Sequence, residues 1–390
     1  MNVIYLGCNG FPFGFAEVQK QKMISKALIT AGASVTIINT KGILREKKLG
    51  DLKFKGNIEN IKYFYCSLSA FRPTNILIRN FLKIMGRVIE FFMIPICKKK
   101  HKVNIAIIST RNIYALIYYF YILRLFGYKM LLSYEEFVKT LNLDSTYNKR
   151  NLEFDDLANQ YCDGILPISS FLENYQRKIN PDIKQFIIPA LTDFNLIDSI
   201  KTDVVKRNTI LFCGSSEYSE NIKFIIDAFE KVKNSLIELE LVIHGAESKN
   251  QLILDYIKQN STKKNKIHIL TKLSFEDLIR AYKTASLLLI PLKPSERDIA
   301  RFPHKISEYT ASRTPILTTD VGEISKYFIN NINAFIVEKY NYEEYAHKID
   351  FAFKNKTLAQ TVSEDAYKLG RKEFHYDSIA VNLFNFCKTL

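Results

Sequence analysis

Residues 301–324, with the sequence RFPHKISEYTASRTPILTTDVGEI, combine a helical pattern with a short β-rich run. The pattern predicts a helix from Pro303 to about Ser312 and then a buried strand that ends at Thr318. Proline suits the first position of a helix, because its missing N–H would lack an intrahelical partner there. A helix followed by a short buried strand is half of a βαβ unit, from which parallel sheets are built.

The start of this predicted helix is rich in positive charge. Arg301, His304 and Lys305 all lie there, although the helix dipole favours anions at its N-terminus. A bound phosphate would neutralise these cations. Glu308 shares a helix face with Lys305, and it could then accept hydrogen bonds from the diol of a sugar. The alternative is a surface helix that carries an ordinary Lys–Glu pair.

The same alternation of strands and helices runs through both halves of the chain, which indicates α/β architecture with doubly wound parallel sheets. In the first half we predict strands over 3–6, 34–38, 62–65, 105–108, 130–133, 164–167 and 185–188. In the second half we predict strands over 209–213, 239–244, 267–270, 287–290, 315–318 and 334–337.

The length of the chain favours two domains, because 390 residues exceed one ordinary core. We predict a first domain over 1–190, a polar linker over 191–208 and a second domain from 209 to about 370. Ligands of doubly wound sheets bind at the carboxyl ends of the strands. If the two Rossmann-like domains face a cleft, we therefore expect the site to lie in that cleft.

The charge of the chain is unevenly distributed. The net charge is +15, and residues 1–190 hold 27 Lys and Arg against 14 Asp and Glu. The remaining residues hold 28 against 26, so the basic surface belongs to the first half. Such an imbalance indicates an anionic partner and says little about the fold. We expect no nucleic acid, because the basic residues are spread over several loops without a recognised motif.

The cysteines and the N-terminus favour a cytoplasmic location. The six cysteines are scattered without a C-x-x-C pair, which predicts neither a disulfide framework nor a zinc site. The opening sequence MNVIYLGCNG lacks the basic start and the long apolar run of a signal peptide. The most apolar segments are interrupted by charges before they reach the length of a membrane span.

Residues 73–102 form the clearest surface signal. Leu77, Phe81, Ile84, Val88 and Phe91 recur at helical spacing. The cations spaced four apart beside them are Arg79, Lys83 and Arg87. A basic amphipathic helix can lie on an anionic membrane. The alternative is a helix whose apolar face packs on the core and whose basic face meets solvent.

Three other places in the sequence are candidate sites. Gly14 lies in a loop between a strand and a helix, where backbone N–H groups can approach a phosphate; the alternative is a plain turn. Glu135 and Glu136 follow a strand of the first domain, where either could act as a base or hold an acceptor sugar, or could be solvated loop charge. His244 ends a strand and could face a nucleotide base or simply pack.

The chain resembles the GT-B glycosyltransferases of the retaining family 4 group over nearly its whole length. The segment 301–324 is similar to the P-x-K-x-x-E-Y motif of that family. The other similar segments, in the family's order, are NGFPFGFAEVQKQKMISKALITAGASVTIINT, CDGILPISSFLENY, IIPALTDFNLI, ILFCGSSEYSENIKFIIDAF, LELVIHGAE, LSFEDLIRAYKTASLLLIPLKPS and EFHYDSIAVNLFNFCKTL. The last of these implies that a helix over 371–390 crosses back to the first domain.

The resemblance also implies a donor site with three departures from the family. The first glutamate of the E-x7-E motif would lie at position 300, which is Ala300 here. The arginine and lysine that usually bind the diphosphate map to Ser215 and Glu220. The candidate replacement cations are Lys223, Lys293, Arg297, Arg301 and Lys305. The donor-binding residues that we expect are Gly14, Gly214, His244, Arg301, Lys305 and Glu308.

We therefore expect a metal-independent, retaining glycosyltransferase, with a first domain that binds the acceptor and a second that binds the donor. The donor would be a UDP- or GDP-linked sugar, used as a substrate, with no cofactor. The acceptor would be a glycan hydroxyl, lipid-linked, in cell-surface polysaccharide or lipopolysaccharide synthesis, which would place the protein on the inner face of the membrane. The alternatives are an enzyme like a nucleotide-sugar 2-epimerase and a non-catalytic GT-B protein with a degenerate donor site.

Overall fold

A computed structural model describes residues 1–14, 16–44, 52–100, 102–141, 149–202 and 206–390. The described chain forms two compact units, Met1–Leu191 with Tyr376–Leu390, and Thr192–His375. The predicted linker over 191–208 lies partly outside the described residues. From residue 192 onward its described part belongs to the second unit.

The first unit is built on an eight-stranded sheet. Its strands are β1 (Asn2–Leu6), β2 (Ser34–Asn39), β3 (Lys55–Ile58), β4 (Ile61–Tyr65), β5 (Asn104–Ser109), β6 (Lys129–Tyr134), β7 (Gly164–Pro167) and β8 (Lys184–Gln185). Their order is β3-β4-β2-β1-β5-β6-β7-β8. Every described pair is parallel except β3 with β4.

The helices of the first unit cover this sheet. They are α1 (Ala16–Thr30), α2 (Ile76–Cys97), α3 (Ile113–Leu125), α4 (Phe154–Leu157), α5 (Ser170–Ile179) and, from the end of the chain, α15 (Ala380–Lys388). Short 3-10 helices lie at Val138–Thr140, Lys149–Glu153, Ala158–Tyr161 and Tyr376–Ile379. Leu383 and Cys387 of α15 are buried in the core that α1 and the sheet form, so the C-terminal helix returns to the first unit as predicted.

The second unit is built on a six-stranded, wholly parallel sheet. Its strands are β9 (Thr209–Ser215), β10 (Glu238–His244), β11 (Ile267–Leu270), β12 (Leu287–Ile290), β13 (Ile316–Thr319) and β14 (Phe335–Val337). Their order is β11-β10-β9-β12-β13-β14. All six strands predicted for this half are confirmed. They are rich in Val, Ile and Leu because a parallel sheet is covered on both faces.

The helices of the second unit lie between and after these strands. They are α6 (Phe194–Ser199), α7 (Ser219–Lys231), α8 (Glu247–Asn260), α9 (Phe275–Thr284), α10 (Glu296–Ala300), α11 (Lys305–Ala311), α12 (Ile324–Tyr327), α13 (Tyr342–Lys354) and α14 (Lys356–Glu373). Short 3-10 helices lie at Ser216–Tyr218 and Lys264–Lys266. Residues 371–373, which were predicted to begin the returning helix, end α14 instead.

Two features of the first sheet differ from prediction. The antiparallel strand β3 was missed, because its sequence KGNI is polar and almost fully exposed. The strand predicted over 185–188 is regular only at Lys184–Gln185. The chain beyond it still donates the backbone N–H groups of Phe186 and Ile188 to β7, so the apolar run located the pairing but not the bounds of the strand.

Candidate active site

The reversal of strand order in the second sheet marks a candidate site. From β9 the chain moves outward through β10 to β11, and then returns to the other side of β9 through β12. Ligands of doubly wound sheets bind outside the carboxyl ends of the strands at such a reversal. The residues that follow β9, β10 and β12 are therefore the ones to examine.

Lys305 and Glu308 form an ion pair on α11. Lys305 Nζ lies 3.0 Å from Glu308 Oε2, and the two side chains are only 27% and 13% exposed. Burial disfavours the charge on Lys305, but the Glu308 carboxylate and Cys213 outweigh it and raise the pKa of Lys305 well above the usual range. Lys305 is therefore protonated at neutral pH.

The ends of β9 and β10 meet this pair. Cys213 Sγ lies 3.6 Å from His244 Nε2, and the backbone N–H of Cys213 donates to Tyr309 Oη of α11 at 3.0 Å. Burial, together with the positive charge of Lys305, lowers the pKa of His244. The structure therefore brings together three of the predicted donor-binding residues, His244, Lys305 and Glu308, around the buried Cys213.

The turns after β9 and β10 are packed against each other without room for larger residues. Gly245 has φ +148°, and a Cβ built on it would lie 1.9 Å from Ser216 Oγ. A Cβ on Gly214 would lie 2.6 Å from a ring atom of Phe212. Glycine is therefore required at Gly245 by the neighbouring turn and at Gly214 by the ring of Phe212 in the same strand. The structure places the predicted Gly214 directly after Cys213, within β9.

Arg301 does not lie on the same helix as Lys305, which corrects the interpretation of the charged helix start. The helix begins at Lys305, and Pro303 precedes it in a non-helical segment. Arg301 instead follows the end of α10, where positive charge suits the helix dipole. Its Nη2 lies 2.9 Å from Oδ1 of the fully buried Asp298, and its guanidinium lies 4.2 Å from the centroid of the Tyr218 ring.

The other cations proposed as replacements have local partners. Arg297 also lies over the Tyr218 ring, at 5.2 Å. Lys293 Nζ pairs with Glu220 Oε2 at 3.2 Å, so the carboxylate at a position where the family has lysine is itself neutralised. Lys223 lies over the ring of Tyr256. Arg301 and Arg297 thus both lie beside Tyr218 in the turn after β9, whereas Lys305 lies beside Cys213 of β9.

In the first unit Gly14 lies just before α1. A Cβ at this position would lie 2.3 Å from Val18 Cγ2, and the carbonyl of Gly14 accepts a hydrogen bond from Gln19 Nε2 at 3.3 Å. The absence of a side chain therefore has a local packing reason here. Its predicted role in donor binding stays a prediction.

Glu135 and Glu136 differ in their surroundings. Glu135 accepts a hydrogen bond from Ser133 Oγ at 2.9 Å, and its Oε1 lies 3.6 Å from Nζ of Lys20, whose side chain is completely buried. Glu136 pairs with the exposed Arg111 at 2.5 Å. Glu135 is thus held at the carboxyl end of β6 by Ser133 of the same strand and by Lys20 of α1, whereas Glu136 is 31% exposed and pairs with an exposed arginine.

Sequence reasoning missed two members of this polar cluster, Glu17 and Lys20. Ser109 Oγ donates to Glu17 Oε1 at 2.9 Å, and burial together with the charge of Glu135 raises the pKa of Glu17. Burial lowers the pKa of Lys20, although Glu135 opposes this shift. The sequence did contain an indication of this cluster. Residues 17, 20, 21, 24 and 28 lie on one helical face, and the apolar Ile24 and Leu28 on that face indicate that it turns towards the core.

The residues predicted to contact a membrane lie on α2, and they differ in their exposure and in their bonds to other side chains. Arg87 Nη1 donates to Glu90 Oε2 at 2.6 Å and to Tyr119 Oη at 2.7 Å, so it belongs to an internal network. Lys83 is exposed and Arg79 is partly exposed. Among the described residues, no helix combines the length and the apolar composition that crossing a membrane requires.

Comparison with known proteins agrees with this site in the second unit. Residues 194–369 match the family model Glycosyl transferases group 1. The matched region contains β9, β10 and α11, so it includes the cluster of His244, Lys305 and Glu308. No curated protein sequence matches the chain.

Solved structures extend the similarity to the whole chain. Sucrose-phosphate synthase from Thermosynechococcus elongatus is similar with a TM-score of 0.77 and 13% identity, covering 100% of this chain and 98% of that one. Anabaena HepE in complex with UDP-glucose has a TM-score of 0.70 and 14% identity, with full coverage of both chains. A glycosyltransferase from Rickettsia africae has a TM-score of 0.70 and 18% identity, covering 100% and 97%. The chain therefore has the GT-B fold.

Proposed function

We propose that the protein is a glycosyltransferase that moves a sugar from a nucleoside-diphosphate sugar to a hydroxyl of a glycan acceptor, with retention of configuration, as in family 4. The observation that carries the proposal is the cluster of Lys305, Glu308 and His244 at the strand reversal of the second sheet. UDP is the first nucleotide to test, because the structures of the similar HepE contain UDP and UDP-glucose.

The cluster offers complementary groups for such a donor. Lys305 stays protonated because its pKa is raised, so it can hold a diphosphate oxygen by a charge-assisted hydrogen bond. Glu308 is acceptor-only when ionised, which suits the two hydroxyls of a ribose. Arg301, fixed by Asp298, would supply further positive charge. These cations are our reason to propose that the diphosphate needs no metal ion.

The chemistry is the exchange of one glycosidic bond for another. The bond between the anomeric carbon and the diphosphate oxygen breaks, and the acceptor oxygen bonds to the same face of that carbon. The leaving phosphate oxygen takes the proton of the acceptor hydroxyl, so no side-chain nucleophile is needed. Lys305 and Arg301 would stabilise the negative charge that develops on the leaving diphosphate.

We propose that the acceptor is a lipid-linked glycan in the synthesis of a cell-surface polysaccharide or lipopolysaccharide, met at the inner face of the membrane. Glu135 is the acceptor ligand we favour over Glu136, because Ser133 and Lys20 hold it in place while Glu136 is paired with Arg111. The basic character of the first half supports an anionic, membrane-embedded acceptor.

The test is thermal unfolding with UDP, GDP and ADP, followed by a panel of sugars linked to the nucleotide that binds. A ligand at a hundred times its dissociation constant adds about 2.7 kcal/mol of stability, which shifts the melting temperature by several degrees. Lys305→Ala and Glu308→Ala should abolish the shift. Lys293→Ala is the matched control and should keep it, since Lys293 pairs with the exposed Glu220.

The outcome separates the proposal from its rivals. No response to any nucleotide would favour a non-catalytic GT-B protein, in line with Ala300 and Glu220. A nucleotide response with conversion of the sugar in the absence of an acceptor would favour an epimerase-like enzyme. Transfer to a lipid-linked acceptor, lost in Glu135→Gln but not in Glu136→Gln, would support the full proposal.

A further inference from the structure

Helix α2 presents an apolar row to the solvent. Leu77, Phe81, Ile84 and Val88 are spaced four, three and four residues apart, and are 76%, 65%, 68% and 52% exposed. This spacing puts them on one helical face. The row continues towards the C-terminal end of the helix, and we define the α2 ridge as Leu77, Phe81, Ile84, Val88, Phe92 and Ile96. A ridge of this kind is unusual on the free surface of a soluble protein.

Contacts on the inward face of α2 set the rotation of the helix, and this rotation turns the ridge towards the solvent. Buried Glu90 accepts hydrogen bonds from Thr40 Oγ1 at 2.6 Å, from Tyr119 Oη at 3.1 Å and from Arg87 at 2.6 Å. A Cβ on Gly86 would lie 2.1 Å from the carbonyl oxygen of Thr40. Rotating α2 to bury the ridge would expose Ile94 and break this network. The alternative of a core-facing apolar stripe is thereby excluded for these four exposed residues.

The stretch of chain that contains the ridge carries almost no negative charge. Residues 61–134 contain twelve lysines and arginines and a single carboxylate, that of Glu90, which is fully buried. Lys83 and Arg72 lie close enough to Lys41 to contribute, after burial, to its lowered pKa. A partner of this surface must therefore be both apolar and anionic.

We infer that the α2 ridge lies in the surface of an anionic lipid bilayer, with its apolar side chains among the acyl chains and Arg79 and Lys83 at the headgroups. A helix of 22 residues is about 33 Å long, and an amphipathic helix with basic flanks binds along such a surface. A second copy of the chain fits less well, because pairing two ridges would bring two sets of cations together. This inference extends the proposal of a lipid-linked acceptor. The membrane contact itself does not depend on that proposal; only its purpose, access to the acceptor, rests on it.

The experiment uses the full chain without nucleotide, in flotation with vesicles of phosphatidylcholine and phosphatidylglycerol. Phe81→Ser/Ile84→Ser should lower the partition constant at least ten-fold, since burial of one large apolar side chain alone accounts for roughly that factor. Arg79→Glu/Lys83→Glu should lower it by about five-fold or more for each cation. Leu252→Ser, which is equally exposed on α8, should leave it unchanged.

A fluorescence measurement locates the contact on α2. The chain has no tryptophan, so Phe81→Trp adds a single reporter, and Leu252→Trp is its control. Insertion predicts that the emission of the Phe81→Trp variant shifts to the blue and is quenched by brominated phosphatidylcholine, whereas the control is not affected. Equal behaviour of the two variants would overturn the inference.

A second copy or a protein partner would give another result. A dimer that sediments as such and that Phe81→Ser/Ile84→Ser dissociates, without vesicle binding by the wild type, would also overturn the inference. Because nucleotide is absent from these measurements, a failure here leaves the donor proposal intact. The melting temperature with UDP tests the donor site separately.

Discussion

Replacing Lys20 with methionine should stabilise the first unit. The Lys20 ammonium is completely buried and makes no hydrogen bond among the described residues. Its ion-pair partner among the described residues is Glu135, at 3.6 Å, and Glu17 adds a weaker attraction. Methionine keeps an unbranched apolar side chain of similar shape and removes the charge, so the packing of α1 on the sheet should survive the change.

The size of the effect follows from three terms. The attraction to Glu135 at 3.6 Å is about 4–5 kcal/mol for an effective dielectric constant of about 20. Burial of an ammonium group costs several kcal/mol, and unmade hydrogen bonds of a buried group cost about 1–3 kcal/mol more. The lowered pKa of Lys20 shows that the cost of burial is the larger. We therefore expect Lys20→Met to raise the free energy of unfolding by about 1–2 kcal/mol.

Calorimetry of the full chain measures this change, because it follows the transition of each unit. About 1–2 kcal/mol corresponds to a rise of roughly 2–8 °C in the melting temperature of a domain of this size. Glu135→Gln should do the opposite, because it removes the attraction and leaves the cation buried. Lys83→Met, at an exposed position, is the control and should change little.

The direction in which the stability of the first unit changes with pH follows from the pKa of Lys20. The folded pKa of Lys20 is lowered, so as pH rises through it the folded chain loses a proton that the unfolded chain still binds. The free energy of unfolding should therefore rise until pH approaches the ordinary lysine pKa of about 10.4. Lys20→Met should lack this rise. A loss of stability in Lys20→Met, or an unchanged alkaline slope, would show that Lys20 has partners and that the reasoning is wrong.

Two further substitutions test how closely the chain is packed, and denaturation in urea measures both. Gly245→Ala should lower the free energy of unfolding by about 2–3 kcal/mol, because its Cβ would lie 1.9 Å from Ser216 Oγ at a φ of +148°. Adding Ser216→Ala should remove the collision but not the strain of an alanine at this φ, so it should restore only part of the stability. Full restoration would contradict the expected backbone strain. Glu90→Ala should cost about 1–3 kcal/mol, because the buried hydroxyls of Thr40 and Tyr119 lose their acceptor while the half-exposed Arg87 can still meet solvent. No measurable loss would show that the network does not depend on this carboxylate.

The strands were predictable because they are short, apolar and repeated. Each strand of the second sheet contains several apolar residues between polar turns, and they are buried in every strand except the edge strand β11, where they are partly exposed. A parallel sheet that is covered on both faces needs such runs. Edge strand β3 has no such run, since its residues are exposed. The apolar pattern therefore locates strands that carry apolar residues, including the edge strands β11 and β14, and misses a polar edge strand such as β3.

The start of α11 was not predictable from the proline rule alone. Pro303 fits the first position of a helix, but proline also favours an extended residue before it. The chain takes the second option and leaves Pro303 outside the helix. Arg301 consequently lies beside Asp298, three residues earlier, and its charge needs no ligand to be satisfied. The pair of Lys305 and Glu308, three residues apart on one face, was predictable because it depends on spacing within the helix.

The orientation of α2 could not be predicted from the periodicity of its apolar residues. The spacing of Leu77, Phe81, Ile84 and Val88 defines one apolar face, but a period cannot say whether that face points to the core or away from it. The rotation is set by contacts distant in sequence, since Glu90 bonds to Thr40 and Tyr119. Those contacts place a carboxylate inside and the ridge outside. The polar network around Glu90 has its hydrogen-bond partners within the first unit, whereas the apolar row is not covered by the core of that unit. An apolar partner from outside the unit would cover the row, and the basic residues on the same helix favour an anionic bilayer as that partner.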